Sequence, residues 1–161
     1  MDATTLLSEQ HREVEAFFRK YEKATSDEQK IAIFNLIADN LAAHCTIEEK
    51  LFYPAVYVGD LKEKLSEGLE EHLAAKRVIA DLLQMKPSDK QYDSKVKVLE
   101  EQIEHHVKEE EEEMFPKVRE LMPKRERDAL GEAMEAMFNR LIEGQPRKRV
   151  PGETDQAPAI S

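Results

Sequence analysis

The stretch His44-Cys45-Thr46-Ile47-Glu48-Glu49-Lys50-Leu51-Phe52-Tyr53-Pro54 decides how this chain is read. A second stretch, His106-Val107-Lys108-Glu109-Glu110-Glu111-Glu112-Glu113-Met114-Phe115-Pro116, repeats it. Both run His-x3-Glu-x4-aromatic-Pro, and the copies lie 62 positions apart. His11 and His72 stand at nearly the same offset, 61 positions. The chain therefore divides into two copies of a helical hairpin. Each copy carries one histidine on its first helix and a His/Glu pair on its second.

Working outward from the repeat, apolar residues recur with a period near 3.6 and no segment alternates strictly, so the expectation is all-helical. A first helix starting near Asp2 or Thr4 carries Leu7, His11, Val14, Phe18 and Tyr21 on one stripe. Thr25-Ser26-Asp27 supplies a turn and capping residues for a second, with Ile33, Ile37, Leu41, His44, Glu48 and Leu51 on one face. After a break at Gly59-Asp60, a third carries Leu65, Leu69, His72, Ile79 and Leu83. The fourth, past Lys86-Pro87-Ser88-Asp89, carries Val96, Leu99, Ile103, His106, Glu110 and Met114, with a kink expected at Pro116. These four predict an up-down-up-down bundle over residues 1–122. Pro123 opens a fifth helix over 123–144, lined by Leu130, Met134, Met137 and Leu141 and ended by Gly144. Residues 145–161, rich in proline and poor in apolar side chains, read as a disordered tail.

The His-x3-Glu spacing has a chemical consequence. Residues four apart stack on one helix face, with β-carbons about 5–6 Å apart, so an imidazole and a carboxylate can ligate one metal. The carboxylate can equally bridge to a second metal about 3.5–4 Å away. His11, His44, Glu48, His72, His106 and Glu110 all fall on the apolar stripes. Two ionised glutamates inside an apolar bundle are costly unless cations compensate them. Imidazole and carboxylate without sulfur suit iron, manganese or zinc, and six ligands exceed the four of a structural zinc site. Two metals would each take two histidines and one oxygen from each bridging glutamate. A bridging oxide or hydroxide makes five, leaving one position on each six-coordinate ion open to a small molecule.

Composition narrows the function classes. The 161 residues hold 34 acidic and 24 basic side chains, a formal charge of −10, which repels nucleic-acid backbones and anionic membranes. No apolar run approaches the length of about 18 residues that a membrane span requires. One cysteine cannot form an internal disulfide, and Met1-Asp2-Ala3-Thr4-Thr5 lacks the order of a signal peptide. Cytoplasmic location is the expectation.

Each candidate has a plainer alternative. His105 competes with His106, because it stands 33 residues after His72 as His44 does after His11, but it points toward the polar side. Glu113 and Glu15 sit at helical spacing from His106 and His11 and read chiefly as surface residues. Cys45 next to His44 is a candidate redox or ligand thiol, or simply a small buried hydrophobe. The methionines read as core filler. Four satisfied core histidines in a purely structural bundle form the plainest alternative of all.

With these residues in view, the sequence resembles the hemerythrin family, in particular bacterial hemerythrin-like proteins with the HHE cation-binding domain. The resemblance covers about residues 2–122 and rests on His11, His44-x3-Glu48 with Tyr53-Pro54, His72, and His106-x3-Glu110 with Phe115-Pro116. It implies a four-helix bundle around a carboxylate-bridged pair of iron ions that binds or reacts with O2. Respiratory hemerythrins supply two histidines four apart on the third helix, whereas here Gly68 and Lys76 flank His72 at that spacing. That departure favours sensing, peroxide breakdown or iron oxidation over simple carriage; an oxidoreductase acting on peroxide or nitric oxide is the alternative. The absence of any Glu-x-x-His counts against a ferritin relative. The small ligand is expected against Leu7, Phe18, Leu41, Leu69 and Ile103. A partner is expected on the fifth helix and tail, or a second copy in a homodimer through the fifth helix.

Overall fold

A computed structural model describes residues 1–160, which are helical with no strand. Helix α1 (Ala3–Glu22) begins where the Asp2 side chain accepts from the Thr4 N–H, and α2 (Asp27–Ile47) where the Ser26 hydroxyl accepts from Gln29. After a widened turn, α2 continues into the short α3 (Tyr53–Val56). Gly59, at φ +50°, then lets the chain reverse into α4 (Leu61–Leu83). Helix α5 (Tyr92–Glu109) passes through a second widened turn into α6 (Phe115–Leu121), and α7 (Lys124–Glu143) follows. Among the described residues no helix is long and apolar enough to cross a membrane.

The ion pairs between α4 and α5 trace their antiparallel course. Asp81 meets Lys95, Glu71 meets His106, and Lys64 meets Glu113 just past α5, so rising numbers on one helix face falling numbers on the other. Tyr21 at the end of α1 and Lys30 near the start of α2 both reach Asp93, which closes that end of the bundle. The four-helix bundle with an extra C-terminal helix is as the sequence predicts.

Two apolar clusters fill the bundle. One holds Val14, Phe18, Phe34, Ile37, Leu41, Ile79, Leu82, Tyr92 and Leu99. The other holds Leu7, Ile47, Phe52, Tyr53, Leu61, Leu65, Leu69, Met114 and Phe115. Each bundle helix passes from one cluster to the other through a histidine: Leu7, His11, Val14 on α1; Leu41, His44, Ile47 on α2; Leu69, His72, Ala75 on α4. A polar layer thus lies between two apolar ones, and the apolar burial on either side holds it in place.

Helix α7 packs on α1 and α2. Its Gly131 lies against the Met1 and Ala3 backbone, where no side chain would fit, and Arg127 pairs with Asp2 at 2.6 Å. The segment beyond Gly144 departs from the expected disorder. Pro146–Glu153 forms a 3-10 helix laid over α2 and α4, with Val150 buried in the first apolar cluster. Arg147 pairs with Asp39 at 2.7 Å, and Arg77 donates to the Thr154 and Asp155 carbonyls. One well-placed valine and a basic residue facing an acidic helix outweigh the segment's polar composition. Ser161, the last residue assigned to the tail, lies outside the described residues.

Candidate metal centre

Both copies of the motif reach the polar layer through the same local device. Proline at 54 and 116 has no N–H to give the carbonyl four residues back. Each helix widens by one residue just before it, over Glu48–Phe52 and Glu110–Met114. The Tyr53 N–H bonds the Glu48 carbonyl and the Phe115 N–H bonds the Glu110 carbonyl, the five-residue step of a π turn. Such turns gather at functional sites. Here they place both glutamates at their first position, fully buried.

The structure brings together all six candidates. His11, His44, His72 and His106 are buried around Glu48 and Glu110, with ring centroids 4.9 Å apart for His11 and His44 and 4.8 Å for His72 and His106. Glu48 Oε1 lies 3.0 Å from His44 Nε2, 3.3 Å from His72 Nε2 and 3.9 Å from His106 Nε2. Glu110 Oε1 lies 3.3 Å from His11 Nε2 and 3.4 Å from His106 Nε2. Each carboxylate therefore touches imidazoles from both hairpins. Two buried candidate ligand sets result, His11 with His44 and Glu110, and Glu48 with His72 and His106, each within 4.8 Å, while a third group, Glu71, His105 and Glu109, lies at the rim.

Each imidazole turns Nε2 inward and is fixed by an acceptor at Nδ1. His11 meets Glu111 at 2.6 Å, His44 meets Gln10 at 2.7 Å, His72 meets Glu49 at 2.8 Å and His106 meets Glu71 at 2.8 Å. A proton held at Nδ1 by these acceptors makes Nε2 the nitrogen a ring offers to a metal once that nitrogen is deprotonated. The sequence reading missed these four acceptors. Its own repeat held the signal, since Gln10 and Glu71 immediately precede His11 and His72, while Glu49 and Glu111 immediately follow Glu48 and Glu110.

Tyr53, read from the sequence only as the aromatic of the motif, also reaches the site. Its ring stacks on His72 at 5.5 Å and its hydroxyl donates to Glu110 Oε2 at 3.1 Å. Gly68 makes this possible, because a Cβ there would come within 2.7 Å of the Tyr53 hydroxyl. The position where respiratory hemerythrins were expected to offer another histidine is thus filled by a phenol. Lys76, on the other side of His72, is turned to Glu49 at 3.2 Å.

Without cations the electrostatics are strained. Burial penalises the charge on His11, but the Glu110 carboxylate 3.3 Å from its Nε2 and the bond to Glu111 push its pKa up to about 9. Burial opposes charge on His72 and His106 too. Cys45, Glu48 and Glu49 around the first, and Glu110, Glu48 and Glu71 around the second, hold both well above the usual imidazole range. Burial likewise works against ionised Glu48, yet the polar groups around it, His44 first and then Glu110 and His106, keep it well below the ordinary carboxylate value. Even so, His11 Nε2, His44 Nε2, both Glu48 oxygens and Glu110 Oε1 are buried with no hydrogen-bond partner. Buried polar atoms are almost always paired. Five orphans converging from two carboxylates and two imidazoles are the donor set a pair of divalent cations would satisfy, so the residues present fit such ions.

The alternatives also resolve. His105 is exposed and bonded to Glu71 and Glu109, so His106 is the histidine that reaches inside. Glu113 pairs with Lys64 at 3.0 Å and Glu15 with Arg12 at 3.4 Å, both at the surface. Cys45 is buried beside the histidines but belongs to neither ligand set. A narrow cavity of about 20 Å³ adjoins the four histidines, lined on its apolar side by Val14, Leu41, Ala75, Ile103 and Val107. Leu41 and Ile103 were expected there, whereas Phe18 packs into the first apolar cluster and Leu7 and Leu69 into the second.

Comparison with known proteins agrees with this geometry. The hemerythrin HHE cation-binding domain model matches residues 2–118. The fold is similar to the crystal structure of a hemerythrin HHE cation-binding domain-containing protein from Mycobacterium kansasii. That match has a TM-score of 0.80 at 26% identity, over 89% of each chain. No curated protein matches. Most of its length being covered by the family model, the chain belongs to the hemerythrin HHE cation-binding domain family.

Proposed function

We propose that this protein holds two iron ions on His11, His44, Glu48, His72, His106 and Glu110, and that it binds or reacts with O2 or a related small molecule. The observation that carries the reading is the convergence of five buried, unpartnered donor atoms between two apolar layers. The cation-binding name of the M. kansasii relative supports the same chemistry. Imidazole and carboxylate also suit manganese or zinc. A ferrous pair, when bound, supplies electrons and open coordination positions to a small ligand.

The chain's residues supply the rest. Glu48 and Glu110 each reach both ligand sets and so hold the two positions together. The Nδ1 acceptors keep the imidazoles aimed inward, and Tyr53 orients Glu110 through its hydroxyl. The apolar wall of Val14, Leu41, Ala75, Ile103 and Val107 limits water entry, and a cavity of about 20 Å³ admits a molecule no larger than a few atoms. Iron-loaded protein, reduced and then exposed to air, is expected to develop a visible charge-transfer absorption. A colourless spectrum at full iron occupancy contradicts the reading.

Turnover of peroxide or nitric oxide is the second reading, and Tyr53 favours it. Its buried hydroxyl keeps its proton, since burial and the nearby glutamates push its pKa well up, so a proton donor stands against Glu110. Oxygen evolution from hydrogen peroxide, reduced in Tyr53→Phe and abolished in His106→Ala, is the expected result. Reversible oxygenation without turnover rejects this second reading.

A further inference from the structure

The four Nδ1 acceptors form two pairs related by the internal repeat, of which one keeps its chemistry and the other does not. Glu111 behind His11 and Glu49 behind His72 are equivalent, and each is balanced by a cation, Arg12 at 2.6 Å and Lys76 at 3.2 Å. The other pair differs. His44 is backed by the neutral amide of Gln10, and His106 by the carboxylate of Glu71. Gln10 is buried, and a carboxylate there would need its own cation. Glu71 sits at the rim, in contact with His105 and near Glu109, and among the described residues no lysine or arginine pairs with it. Among the described residues its charge therefore has only imidazoles to balance it, with no lysine or arginine, one ring away from the inner site.

We infer that the two metal positions are unequal, and that Glu71 makes the His72–His106–Glu48 position the tighter one, filled first by a divalent cation. The inference rests on the two-metal reading above. A carboxylate behind an imidazole raises the basicity of the inward nitrogen, and such outer partners change metal affinity by about 10–100-fold. The His72–His106 position has two carboxylate-backed imidazoles, whereas the His11–His44 position has one. Its extra negative charge adds a direct attraction for a dication. The residue that distinguishes the positions is thus a rim glutamate outside both ligand sets.

The test is titration of metal-free protein with Co2+, following both binding constants by absorption and calorimetry. Wild-type protein is expected to take two Co2+ in resolved steps. Glu71→Gln keeps the acceptor for His106 Nδ1 and removes only the charge, so the first constant is expected to weaken by about 10–100-fold and the second by less than about threefold. Single-position backgrounds assign the step. In His11→Gln protein the remaining tight binding weakens when Glu71→Gln is added, and in His72→Gln protein the remaining binding does not. Circular dichroism confirms that each variant is folded. Two Co2+ bound with indistinguishable constants, or a Glu71→Gln change that weakens both steps equally or neither, overturns the inference while leaving the two-metal reading intact. Uptake of fewer than two Co2+ by wild-type protein overturns both.

Discussion

The two hairpins are built alike and finished differently. In each, a histidine on the first helix faces a His-x3-Glu pair on the second, a proline forces a π turn, and an outward acceptor locks each ring. The finishing residues do not repeat. Tyr53 stands where the other hairpin has Phe115, Gly68 where it has Leu7, and Gln10 where it has Glu71. The C-terminal 3-10 segment also covers the α2 and α4 side. What repeats is what a pair of cations requires. What differs lies around them, and on the proposal above it would give the two positions separate characters.

The largest effect should come from removing the metals that make the two halves one unit. At metal concentrations about 1,000 times Kd, binding adds about 4 kcal/mol of stability. Chelation is therefore expected to lower Tm by about 10 °C. No change in the melting temperature would break the comparison at its root.

Next in size is a pH effect confined to the metal-free protein, where protons on the histidines stand in for cations. Since His11 titrates near 9 when folded, against about 6.5 unfolded, its contribution is full below about pH 6.5 and is lost as pH rises toward 9. The loss is about 3 kcal/mol. Urea midpoints for chelated protein should fall across that window, and those of the metal-loaded protein should not. A flat profile for the chelated protein contradicts the assignment.

Smaller still is the difference between Tyr53 and Phe115. Tyr53→Phe leaves Glu110 Oε2 without its donor and is expected to cost about 1–3 kcal/mol. Gly68→Ala should also destabilise, although alanine is the better helix former by about 1 kcal/mol, because its Cβ displaces the Tyr53 hydroxyl. Stabilisation by Gly68→Ala in chemical denaturation would show that the phenol is not held there. Val150→Ala in the covering segment should cost about 1.5 kcal/mol and leave metal content unchanged.

The repeat and the 3.6 period made the bundle and its six inward residues legible, because both follow from spacing along single helices. His105 fits the spacing from His72, but its place on the polar side and the distance of His106 from Pro116 favour His106, and the structure exposes the first and buries the second. The π turns were missed because proline was read as a kink, whereas the helix absorbs it by widening one residue earlier. The acceptors at Gln10, Glu49, Glu71 and Glu111 lie on flanks that look solvated in one helix and become inward only when a neighbouring helix presents an imidazole. The tail was misread because composition averages over a segment and does not register one valine and one arginine meeting the right partners.

The central claim is that Glu48 and Glu110 are tolerated inside this bundle because two cations neutralise them. Elemental analysis of anaerobically reconstituted protein tests it most directly. The account predicts two iron ions per chain in wild-type protein and fewer than one in the Glu48→Ala, Glu110→Ala double variant. Wild-type protein that folds with both glutamates buried and retains no metal would contradict it.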